Sequence, residues 1–167
     1  MVVKMIKMVC LLSLLLACIA NAIASDNKVF FAKQKLQVAT IAFEKQMDKC
    51  FSNAKKISST ELQIDGISLE MTKTAIDYMH YSALSACMKI QYESYLKAAY
   101  FYKAVTPSKV KNDIDSFVSS TWVSELDAEY KFKQLPKSVQ QHFEKLAVLQ
   151  TPFDAMSLIL ELDNPSL

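Results

Sequence analysis

The stretch from Ile67 to Val105 constrains this chain most: 39 residues pass without a glycine or a proline, and good helix formers dominate. Built as one α-helix, it would measure about 58 Å at about 1.5 Å per residue. That is long for a small domain, so a bend or a break is expected within it. Tyr78, Tyr81, Met88, Tyr92, Tyr95, Ala99 and Tyr102 recur at three- and four-residue spacing and fall on one side. Ile76, Met79, Ala83, Cys87, Ile90, Ala98 and Phe101 fall nearly opposite. A helix apolar on two sides needs neighbours on two sides, which predicts the central helix of a bundle.

Composition points the same way. Gly66 is the only glycine in 167 residues, and only four prolines are present, poor material for hairpins. The length suits one domain with a real core. The expected fold class is all-α: a single-domain helical bundle of about four to six helices around the 67–105 helix. All 19 basic residues are lysine. Without arginine's planar fork, the usual reader of phosphates and guanines, no nucleic acid is expected as a partner.

The N-terminus reads as a secretory signal peptide over residues 1–24. Lys4 and Lys7 form a basic start, Met8 to Ile19 is an apolar run, and Ala22-Ile23-Ala24 offers small residues for cleavage. The run is too short to span a membrane. Leu15-Leu16-Ala17-Cys18 loosely matches a lipoprotein box, so no membrane partner is expected unless Cys18 is lipidated. Loss of Lys4 and Lys7 leaves 17 lysines against 17 acidic residues, a balance that draws the mature domain, 25–167, to no polyanion.

Along that domain, a first helix is expected from about Asn27 to Lys56, capped by Ser25 or Asp26, with Leu36, Ala39, Phe43, Met47, Cys50 and Ala54 as its stripe. Ser58 and Glu61 stand at capping-box spacing, which predicts a short turn. Thr106-Pro107 starts a helix through Val110, Ile114, Phe117, Val118 and Thr121, with a break near Trp122 and a restart capped by Ser124. Leu135-Pro136 starts another through Val139, Phe143, Leu146 and Leu149. Thr151-Pro152 starts the last, with Asp154 in its first turn, and Asn164-Pro165 ends it.

Cys50 and Cys87 are the cysteines left after cleavage, and an even pair in an exported domain invites a disulfide. A tight hairpin would not bring them together. The 57–66 segment must run back along the helices, or the central helix must start late. His80 follows Asp77 by three residues, and Glu44 and Asp48 lie one turn apart, but no Glu-x-x-His repeat accompanies them; no metal and no cofactor are expected. No nucleophile elbow, Walker loop or dinucleotide fingerprint is present, so no catalytic residue is assigned.

Two readings of function follow. The first is an exported, non-enzymatic protein, secreted or periplasmic, acting by protein–protein interaction as an inhibitor, immunity protein or effector. The alternative is a carrier of a small apolar ligand in an aromatic and Met-lined cavity between helices. In either, Tyr78, Tyr81, Met88, Tyr92, Tyr95 and Tyr102 are the candidate ligand or partner surface, although packing is the primary expectation for these tyrosines.

Overall fold

The computed structural model describes the backbone of residues 2–106 and 111–164, and the side chains of 26–106 and 123–164. Five α-helices follow in order: α1 Val2–Ser52, α2 Leu69–Val105, α3 Lys111–Gln134, α4 Lys137–Lys145 and α5 Ala155–Asp163. No strand occurs among the described residues; the fold is an all-α bundle.

The expected long helix is present as α2, and it is unbroken. Ser68 caps it, its hydroxyl accepting from the Met71 N–H, while the Thr106 N–H donates to the Tyr102 carbonyl at the far end. Neighbours hold its length together. Along its C-terminal half α1 runs antiparallel: Cys50 meets Cys87, Phe43 meets Tyr92 and Tyr95, and Phe31 meets Phe101. Along its N-terminal half the C-terminal elements take over, with Ile57, Leu62, Ile76, Met79, Phe132, Phe143, Phe153 and Leu158 in one core. A smaller core of Phe43, Tyr95 and Ala99 sits between α1 and α2.

This arrangement explains the connection. Cys87 lies 18 residues into α2, so the chain leaving α1 must descend about 27 Å to begin that helix. Residues 53–68 do this while lining the lower core with Ile57 and Leu62. Lys55 pairs with Phe153 in an isolated parallel bridge: its N–H donates to the Pro152 carbonyl and its carbonyl accepts from the Asp154 N–H, both at 2.9 Å. The expected Ser58–Glu61 capping box opens a 3-10 turn, Ser59–Leu62. Gly66 then takes a positive φ of 79°, where a side chain would be strained.

Several boundaries differ from expectation. Neither Ser25 nor Asp26 caps α1, because the helix is continuous from Val2; the apolar run before it contains no residue that breaks a helix. The expected start at Pro107, and the Val110, Ile114, Phe117, Val118 and Thr121 side chains, lie outside the described residues. No break occurs near Trp122: α3 passes straight through Ser124 and Asp127, since a capping pair without a competing turn residue does not stop a helix. The Val139–Leu149 stretch ends its α-helix at Lys145 and finishes as a 3-10 turn, Ala147–Leu149. The last helix starts at Ala155, not at Pro152. Phe153 is pinned in the bridge to Lys55, and Asp154 becomes the cap, accepting from the Ser157 N–H at 3.0 Å.

Two-sided burial of α2 holds in its N-terminal half, where Ile76, Met79 and Ala83 are buried. Towards the other end Ile90 is 74% exposed and Phe101 36% exposed. The second stripe outlasts its neighbours.

Candidate functional site

Cys50 and Cys87 form the expected disulfide, their Cα atoms 6.2 Å apart. Cys50 is buried near the end of α1, and Gln46, one turn earlier, donates to the Cys87 carbonyl at 2.9 Å. The cross-link ties the α1–α2 pair at the level where the two cores meet.

The six residues of the candidate surface divide three ways. Tyr78 stacks on Phe132 at 4.2 Å between centroids, against the lower core. Tyr95 is 8% exposed and stacks on Phe43 at 5.6 Å, with Tyr102 packed against the same cluster. Tyr81, Met88 and Tyr92 line an apolar cleft of about 210 Å³ where α1, α2 and α3 converge. Among the described residues Phe43, Met47, Phe51 and Leu84 add to its apolar lining, and Ser85 and Glu125 supply polar side chains. Tyr92 also belongs to the upper core, tilted against Phe43 at 5.4 Å. Its hydroxyl is buried and has no hydrogen-bond partner among the described residues. Burial raises the Tyr92 phenol above its ordinary range, and the nearby Glu125 carboxylate adds to that.

Glu125, Ser85 and Tyr92 also border a second groove between α2 and α3, whose charged lining is Lys89 against Glu93, Glu125 and Glu129. A third hollow, about 520 Å³, lies below the cleft and shares Phe51 and Tyr81 with it. Lys56, Asp77, His80 and Asp154 bring charge or polarity to it. His80 donates through Nδ1 to the Phe153 carbonyl at 3.2 Å. Burial lowers its pKa below the ordinary imidazole value, outweighing that bond and the Asp77 and Asp154 carboxylates, which raise it. His142 lies elsewhere, its Nε2 donating to the Leu62 carbonyl at 2.7 Å. Among the described residues no group of three or more His, Cys, Asp or Glu side chains could hold a metal ion.

A further apolar surface was not foreseen. Phe30, Phe31, Val38 and Ile41 on α1 are between 51% and 67% exposed. At about 100° per residue they share one arc, roughly opposite the packed Ala32, Leu36, Ala39 and Phe43. Phe31 meets Phe101 edge-on at 6.3 Å, which carries the surface onto α2, and the Lys35 ammonium sits 5.4 Å from the Phe31 centroid. On α3, Val123, Leu126 and Tyr130 form a shorter exposed stripe. The inward stripe of α1 is the stronger helical signal, and it masks the second arc in the sequence.

No family model matches this chain, and neither a curated protein nor a solved structure matches it.

Proposed function

We propose that this is an exported, non-enzymatic protein that acts by binding another protein through the outer face of α1, in the manner of an inhibitor, immunity protein or effector. The observation that carries the reading is the Phe30, Phe31, Val38 and Ile41 arc, solvent-facing and continued by Phe101. Soluble monomers rarely leave a contiguous apolar surface of this kind without using it. A helix offering anchors over about 16 Å suits insertion into a partner's apolar groove. Between positions 28 and 41 the helix carries Lys28, Lys33 and Lys35 and no acid, so the complementary groove has an acidic rim.

Export is supported by the basic and apolar start of the chain and by the Cys50–Cys87 bond, which persists in oxidising compartments. Among the fully described residues no helix is long and apolar enough to cross a membrane.

Affinity capture from the native compartment tests the reading, with the processed protein and its Ile41→Glu variant as baits. Ile41 is exposed, so the variant is expected to keep the parent melting temperature within the usual scatter of surface changes, about 0.5 kcal/mol. The partner should be held by the parent and lost by the variant. Equal capture by both baits would remove α1 as the binding face.

A further inference from the structure

We propose that the cleft between α1, α2 and α3 is a separate binding site for a compact organic cation, an ammonium group carried on an apolar body. Four aromatic rings line it, from Phe43, Phe51, Tyr81 and Tyr92. Their faces are electron-rich, and a ring cluster of this kind attracts an ammonium or quaternary ammonium ion. Among the described residues Glu125 is the only charged side chain in the lining, and no lysine takes part. The adjoining groove sharing Glu125 and Tyr92 adds two further glutamates against one lysine, so a cation is favoured at both openings. Three glutamates against Lys89 disfavour an anion there.

Two further features fit an occupant. The Tyr92 hydroxyl is buried without a partner among the described residues. Phe51, on the lip, is 52% exposed and would be covered by a bound apolar group. At about 210 Å³ the cleft is smaller than the roughly 300 Å³ at which drug-sized pockets begin, so the ligand is small. This site lies on the packed side of α1 and does not depend on the outer arc proposed for the partner protein.

Methyl-labelled methionine NMR on the full processed protein tests the proposal, with benzyltrimethylammonium as the probe. Met47 and Met88 line the cleft, whereas Met71, Met79 and Met156 do not. Saturable shifts are expected at Met47 and Met88 alone. The neutral isostere neopentylbenzene should bind weaker by roughly tenfold or more, the scale of a desolvated cation–π contribution. Phenylacetate should not compete. Glu125→Gln, isosteric and at the edge of the cleft, should weaken the cation severalfold with an unchanged melt. Neopentylbenzene binding as tightly as the cation, tighter binding of phenylacetate, or no saturable shift at Met47 and Met88 would each overturn the assignment. Partner capture through Ile41 would be unaffected by any of these results.

Discussion

Tyr92 and Tyr95 lie three residues apart on α2, both against Phe43, yet their hydroxyls and exposures set them apart. Tyr95 is a core residue, so Tyr95→Ala should cost about 3–5 kcal/mol, read as a lowered denaturation midpoint. Tyr92→Phe should cost nothing and can stabilise slightly, because the hydroxyl removed is buried without a partner. A loss above about 1 kcal/mol from Tyr92→Phe would mean that the oxygen is hydrogen-bonded after all. Packing of the tyrosines was legible in the sequence from their spacing and amphipathic rings. The placement of Tyr81, Met88 and Tyr92 beside Glu125 was not, because it depends on where α3 crosses α2. His80 gives the pH dependence. Its folded pKa lies below the ordinary value, so the unfolded chain binds the proton first as pH falls. Stability should therefore be level above about pH 6.5 and decline below it, until the folded-state pKa is passed. Urea melts at a series of pH values should show this decline flattened in His80→Gln; identical slopes in the two proteins would remove His80 from the account.

Among the elements, α2 and the helical part of α1 before Ser52 were readable because nothing in either interrupts the helical period. Boundaries set by tertiary contacts were not. Asp154 caps α5 only because Phe153 is held in the bridge to Lys55. Ser124 stays inside α3 although its spacing to Asp127 imitates a cap. The connection at 53–68 was legible as a condition, since a bonded Cys50–Cys87 pair requires the chain to run back along α2, and it does so. Glu161 on α5 fastens that connection: its Oε1 accepts from the Ser58 hydroxyl, the Ser59 N–H and the Ser59 hydroxyl, each at 2.9 Å. Those bonds hold its carboxyl below the usual carboxylate range. The disulfide closes a loop across this whole segment, with a sequence separation of 37. Replacing both cysteines by alanine should cost about 4 kcal/mol in the chain-entropy view. Chemical denaturation of that variant at the parent's pH measures it, and a cost near zero would mean that the helix pair is fixed by Phe43, Tyr95 and Ala99 alone.

At the scale of the molecule, α2 is a shared beam with two different coverings, α1 along one half and the C-terminal elements along the other. The two apolar sides of α2 announced a bundle, and the class was legible from that alone. On the face of α1 turned away from α2 apolar surface remains, joined by Phe101 of α2, and this is what the proposed partner would use. The second arc on α1 is also written in the sequence, but only the structure separates it from the core-facing side. The most direct measurement is site-specific photo-crosslinking in the native compartment, with the photoreactive residue placed at position 38, 41, 126 or 156. All four positions are exposed and apolar. An adduct of one defined mass is expected from positions 38 and 41 and none from 126 or 156. Adducts from 126 or 156 alone, or from none of the four, would contradict binding through the outer face of α1.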